Sequence, residues 1–269
     1  MQAMKLEAHS DKMIAEKDGP IGWLVFNNPK RHNAMSLDMW AAVAPIVAQF
    51  VADPDVRVVV LRGAGDRAFV SGADISEFEQ VRSSREETLK YDAVGEQASL
   101  ALYHCPKPTV AMINGYCIGG GMGIAAACDL RLCSDKSRFG VPAAKLGVGY
   151  QYPGVKKLMD LVGPAFTKEI FYTGRQFSAQ EALVMKLVNR VLPEEQLEGY
   201  VREYAGTIAG NAPLTIGAVK VTTNELLKDA AQRDLARSEA AVVACFDSED
   251  YTEGRRAFME KRSPVFQGR

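Results

Sequence analysis

PTVAMINGYCIGGGMGIAAACD, residues 108 to 129, is the stretch around which the chain is organised. Thr109 to Ile113 is an apolar run behind a proline, long enough for a buried parallel strand and too short for a helix. Asn114-Gly115 ends it as a turn signal. Gly119, Gly120 and Gly121 then lead into Met122 to Cys128, small and apolar residues that predict a buried helix. A strand, a glycine turn and a helix N-terminus present bare backbone N–H groups, and the helix dipole adds to their pull on negative charge. Such a place suits a phosphate or an oxyanion that forms during a reaction.

Upstream, Lys12 to Lys17, the turn signal Asp18-Gly19 and Ile21 to Phe26 predict a hairpin. Asn27 to Asn33 is a polar loop, and Ser36 is placed to cap a helix running to about Val51. Val56 to Leu61 predicts a buried strand, and Phe69 to Glu77 a short strand running into a glycine loop. Arg82 to Arg85 is a charged surface stretch, and Glu86 to His104 predicts a helix stopped by Pro106 and Pro108. Downstream, Leu130 to Cys133 begins another strand and residues 138–154 are loop-rich. From Pro164 the pattern is mostly helical, interrupted by a last short strand at Val188 to Leu192. Helices are expected at Pro193 to Ala209, Pro213 to Leu227, Ala230 to Phe246 and Ser248 to Lys261. Alternating strands and helices argue for an α/β fold of parallel units. We expect a core domain over residues 1–195 and a helical region over 196–269.

At 269 residues and 47% hydrophobic content, the chain suits one main globular core. A net charge of −1 gives no electrostatic case for nucleic acid or an anionic membrane surface. No apolar run approaches the roughly 20 residues of a membrane span. Met1 to Gly19 lacks an apolar signal core, so a cytoplasmic location is expected. Cys105, Cys117, Cys128, Cys133 and Cys245 have no C-x-x-C spacing and suit reduced, mostly buried thiols. His9, His32 and His104 are too scattered for a metal site, and no metal is expected.

Gly121 to Ala126 fits the loose G-x-G-x-x-A dinucleotide pattern, but the acidic residue expected about 20 positions on is absent. Tight strand–helix packing explains those glycines better than a nicotinamide site. There is no P-loop and no G-x-S-x-G elbow.

SGADI at Ser71 to Ile75, NGYCIGGGMGIAAACDL at Asn114 to Leu130, the FG-x-P…LG run from Phe139 to Gly147, and AFMEKRSPVF at Ala257 to Phe266 occur in one order. Together they resemble the crotonase superfamily, the enoyl-CoA hydratase/isomerase family, over nearly the whole chain. The resemblance implies a spiral of ββα units with a C-terminal helical region that trimerises, as a homotrimer or a dimer of trimers. It implies an acyl-CoA substrate, with coenzyme A as part of that substrate and no tightly bound cofactor. It also implies that the backbone N–H groups of Ala73 and Gly120 hold the thioester oxygen. CoA would lie along Lys30 to Ala34 and Ala73, Asp74 and Ile75, with Phe258 and Lys261 at its adenine and 3′-phosphate. Asp74 and Asp129 read as structural carboxylates.

The departures from the family pattern concern chemistry. The two glutamates that typical hydratases of the family carry fall at Gly123 and Ala143 here, and a third position used by its isomerases is Gln151. Each lost acid/base role is worth ~100- to 10,000-fold in rate. Loss of CO₂ from a malonyl-type thioester needs no base, and a carboxylate-poor pocket would favour it. The LGVGY run ending at Tyr150 is similar to a region of methylmalonyl-CoA decarboxylase, which makes Tyr150 a catalytic candidate. Decarboxylase or other lyase/isomerase chemistry is therefore expected first. A noncanonical hydratase and a non-catalytic acyl-CoA-binding protein are the alternatives.

Overall fold

The computed structural model describes residues 3–77 and 83–269. Arg82, the first residue of the expected charged stretch, lies outside the described residues.

The strands are β1 (Met4–Leu6), β2 (Met13–Asp18), β3 (Ile21–Phe26), β4 (Val58–Gly63), β5 (Ala68–Val70), β6 (Thr109–Ile113), β7 (Tyr116–Ile118), β8 (Leu130–Ser134), β9 (Arg138–Gly140), β10 (Phe177–Ser178) and β11 (Arg190–Leu192). They form a seven-stranded sheet in the order β1-β2-β3-β4-β6-β8-β11 and a four-stranded sheet in the order β10-β9-β7-β5. From β3 to β11 the larger sheet is parallel. The expected hairpin is β2–β3, closed with Asp18 opposite Ile21.

The two sheets share a repeating unit. β4, β6 and β8 each lie in the large sheet, and a short turn carries each chain into β5, β7 or β9 of the small one. Gly115 makes one of these turns possible: its φ is +68°, and a Cβ there would stand 2.0 Å from the Arg67 carbonyl oxygen. After β5 and β7 a helix returns the chain to the large sheet. These are α2 (Arg85–Tyr103) and α3 (Gly120–Ala127). This is the expected spiral of ββα units, and it includes strand β7, which the sequence reading passed over.

Burial follows from the layers. β3 and β6 are buried at every position, because both faces of the sheet are covered and neither face needs polar residues. Leu24, Phe26, Val59, Leu61, Ala111 and Ile113 pack in the main core, which includes α1 (Leu37–Ala52) and the small sheet. Their neighbours Trp23, Val25, Val58, Val60 and Val110 face the other way, onto Leu197, Val201 and Ala205 of α7 (Glu194–Ala209). The boundary expected at 195/196 therefore falls inside a helix that packs on the sheet. Trp23 is 2% exposed, with the Arg62 and Arg202 guanidiniums 5.2 and 4.7 Å from its ring centroid.

The remaining helices are α4 (Ala143–Leu146), α5 (Tyr152–Thr173), α6 (Ala179–Val184), α8 (Pro213–Leu226), α9 (Leu235–Phe246) and α10 (Glu249–Glu260). Ser178 caps α6 in a reciprocal capping box with Glu181. Ser36 stands at the N-cap of α1, but its hydroxyl donates to Asp38 and makes no cap bond. Among the described residues no helix is long and apolar enough to cross a membrane.

Candidate active site

Ala73 sits on a segment clamped from behind by Met35. The Met35 N–H donates to the Gly72 carbonyl and the Asp74 N–H donates to the Met35 carbonyl, both at 2.8 Å. This is a parallel bridge of Met35 with Ala73. In such a bridge the bonds come from the residues on either side, so the Ala73 N–H lies on the edge turned away from Met35. The segment is pinned further by Asp74, which is 7% exposed and accepts from Arg31 at 2.9 Å and from the Ser76 hydroxyl at 2.7 Å. Burial pushes the Asp74 carboxyl up, but the bonds from Ser76 and the charge of Arg31 outweigh it and hold it below the usual carboxylate range. Asp74 is thus an ionised structural anchor.

The triple-glycine turn supplies the second amide. Gly119 is the N-cap of α3 with φ +54° and ψ −110°, a backbone that L-residues rarely adopt. Its N–H donates to the Gly140 carbonyl at 2.8 Å. Gly120 is the first helical residue, so its N–H has no partner within the helix. A Cβ at Gly120 would stand 2.8 Å from the Trp40 ring, and one at Gly121 only 2.3 Å from the Val70 carbonyl oxygen. Close approach, and not nucleotide binding, explains this glycine run.

The two segments touch. Cβ positions built at Gly119 and Gly120 fall 3.7 and 3.9 Å from Gly72 backbone atoms. Ala73, Gly119 and Gly120 border one cavity of about 270 Å³. Trp40, on α1, backs it. The Trp40 indole N–H donates to the Tyr91 hydroxyl at 2.9 Å, and that hydroxyl lies 3.4 Å from the Met35 carbonyl, the same carbonyl that holds Asp74. One buried chain of bonds thus ties the back wall to the Ala73 segment.

The α2 side of the cavity corrects an expectation. The cavity is not carboxylate-poor: α2 contributes Tyr91, Asp92, Gly95 and Glu96. These positions are a turn apart on one helical face. Lys157 of α5 donates to the Glu96 carboxylate at 3.0 Å and to the Ser99 hydroxyl at 2.9 Å. Asp92 and Glu96 lie outside every family motif in the chain, so motif position does not mark them. The spacing Tyr91-Asp92-x-x-Gly95-Glu96 was the available signal.

The motif positions are as empty as the sequence implies. Ala143 borders the cavity, and Gly123 has nothing within 4 Å of where its Cβ would stand. Tyr150, Gln151 and Gly154 border the cavity near the start of α5. Tyr150 is 39% exposed and lies edge-on to Phe171, with ring centroids 4.8 Å apart.

The other predicted substrate contacts are dispersed. Ile75 borders the cavity and is exposed. Lys30 is exposed on a single 3-10 turn, and Ala34 is buried beside Asn33. The Asn33 amide fixes that loop by donating to the Ala64 and Ala68 carbonyls at 3.0 and 2.7 Å. Phe258, 82% exposed, borders a separate hollow among α8, α9 and α10, and Lys261 is the exposed C-cap of α10. Within one chain, neither joins Ala73 and Gly120 at the cavity. Asp129 accepts from Thr109 N–H at 2.8 Å and from Lys220 of α8 at 2.7 Å, a structural link. Among the described residues no group of three or more His, Cys, Asp or Glu could hold a metal ion.

A spiral of ββα units built from the two sheets is the crotonase fold. A family model described as enoyl-CoA hydratase/isomerase matches residues 16–269. A short-chain-enoyl-CoA hydratase of Clostridium acetobutylicum is 34% identical over 94% of this chain and 96% of its own length. A carnitinyl-CoA dehydratase of Salmonella enteritidis is 32% identical over 97% and 100%. The crystal structure of an enoyl-CoA hydratase/carnithine racemase from Magnetospirillum magneticum superposes with a TM-score of 0.91 at 37% identity, covering 97% of each chain. The chain belongs to the enoyl-CoA hydratase/isomerase family, whose members act on acyl-CoA thioesters.

Proposed function

We propose that the protein works on a short acyl-CoA through a thioester enolate, and that its reaction is the reversible addition of water to a 2-enoyl-CoA. The observation that carries this reading is the convergence of Ala73 and Gly120 on one cavity of about 270 Å³. Two N–H donors aimed at a thioester oxygen bind it more strongly as charge develops than in the ground state, which is what lowers a barrier. The cavity's size suits an acyl group of a few carbons. Its Asp92 and Glu96 wall supplies acid/base groups where the motif positions Gly123 and Ala143 have none. The 34% identity to a protein named short-chain-enoyl-CoA hydratase supports the same reaction class.

CoA is proposed to run over Lys30, Ala34, Asp74 and Ile75. Phe258 and Lys261 stand apart from the cavity, so they would serve a neighbouring subunit, in keeping with a homotrimer or a dimer of trimers. Decarboxylation of a malonyl-type thioester is the second reading. It draws on Gly123 and Ala143 lacking acids and on Tyr150 at the cavity. The hydratase names of the chain's relatives count against it.

The test is to offer crotonyl-CoA, methylmalonyl-CoA and ethylmalonyl-CoA to the purified full chain, following enoyl absorbance and CO₂ release. Hydration of crotonyl-CoA is expected. CO₂ release without hydration would replace this reading with the second one. Binding of all three without turnover of any would leave an acyl-CoA-binding protein.

A further inference from the structure

We infer that Glu96, held by Lys157, is the group that moves the proton in this cavity, so that the acid/base function sits on helix α2 and not on the glycine-turn side. The inference rests on the enolate reading above and assigns its missing residue. Three observations carry it. Glu96 borders the same cavity as Ala73 and Gly120. Its carboxylate is aimed by a Lys157 ammonium only 11% exposed, itself anchored on Ser99 at 2.9 Å. A carboxylate fixed by a nearly buried cation keeps one geometry, which a swinging surface glutamate does not. Gly95, which also borders the cavity, lacks a side chain beside Glu96 and leaves the acyl group room against the helix. Lys157 acts through Glu96 and is a positioning residue.

The step balances within substrate and water. Glu96 takes a proton from water as the water oxygen bonds to the β-carbon. The electron pair of the C=C bond moves toward the thioester oxygen, where the Ala73 and Gly120 N–H groups stabilise it. Glu96, now protonated, returns the proton to the α-carbon, and the carboxylate is regenerated. In the reverse sense the same carboxylate removes an α-proton. That reverse half-step can be read without any net reaction, as exchange of the α-protons of bound butyryl-CoA with deuterium oxide.

The experiment compares the native chain with Glu96→Gln, Asp92→Asn, Lys157→Met and Lys157→Arg, measuring crotonyl-CoA hydration, butyryl-CoA exchange and butyryl-CoA binding. Glu96→Gln should lower kcat and the exchange rate by ~100- to 10,000-fold with binding nearly unchanged. Lys157→Met should lower kcat without a matching rise in KM, and Lys157→Arg should recover most of it. Glu96→Gln retaining exchange within a few-fold of the native chain would overturn the assignment, with the hydratase reading intact. Loss of exchange in Asp92→Asn and not in Glu96→Gln would overturn it in favour of Asp92. Native exchange without native hydration, if abolished by Glu96→Gln, would uphold Glu96 and sink the hydratase reading. A native chain that neither hydrates nor exchanges would overturn both.

Discussion

The role proposed for Gly120 belongs to its main-chain N–H, so a side-chain scan would not reveal it. It occupies the first position of α3, where the proline backbone is otherwise tolerated. Gly120→Pro therefore removes the donor. Gly120→Ala adds the same Cβ, 2.8 Å from the Trp40 ring, and keeps the donor. Both should lose activity, and the proline variant should lose a further ~100- to 1000-fold in kcat; equal kcat in the two variants would show that the amide is idle. Asp74 makes a pH prediction. Its carboxyl is held below the usual range, so its stabilisation is complete above the unfolded-state value near ~3.9 and fades as pH falls through the lower folded value. Asp74→Asn should be less stable than the native chain near neutrality, and that gap should narrow below about pH 4. Urea midpoints measured across that range would check it. These contacts were only half legible beforehand: the SGADI motif marked Asp74, but nothing in the pattern named Arg31 or Ser76 as its partners.

At the scale of elements, α3 is eight residues of glycine, alanine and a few apolar side chains, a sequence too weak to hold a helix alone. Its far end is closed by Arg131, 4% exposed, which donates to the Cys128, Ala125 and Leu187 carbonyls at 2.6, 3.3 and 2.7 Å. A cation at a helix C-terminus satisfies carbonyls that otherwise lack partners. Arg131→Met should cost about 3 kcal/mol in denaturant unfolding, since it strands several buried acceptors at once. The same packing explains why α3 begins at Gly120 and not at Met122: contact with Val70 and Trp40 overrides the poor helix propensity of glycine. Strand β7 escaped the sequence reading for a related reason. It is three residues between glycines, and only its pairing with β5 and β9 makes it a strand. The helix expected over Ala230 to Phe246 divides at Asp234, which caps α9 by accepting from the Arg237 N–H. By contrast β3, β4 and β6 were legible, because a strand covered on both faces reads as an unbroken apolar run.

For the whole molecule, the fold and the Ala73 and Gly120 side of the site were written in local motifs, while the α2 side was not. Ala73 and Gly120 sit in short glycine-marked signatures. Asp92 and Glu96 sit in a nineteen-residue helix that also carries Arg85, Glu86, Glu87 and Lys90, and only tertiary packing separates them from Glu86 or Glu87. Four of the five cysteines are buried, as the composition implied. All five are free, and burial raises the Cys128 and Cys133 thiols to about 12. At pH 8 these two should resist iodoacetamide in the native chain and react once it is unfolded, which peptide mapping would show. Two tryptophans complete the molecule. Trp40 backs the cavity, and Trp23 is buried beside two arginines on the far face of the large sheet. The chain therefore carries its own optical gauge: ligand entering the cavity alters the emission of one indole while the other serves as an internal standard, and occupancy can be followed by light with no label attached.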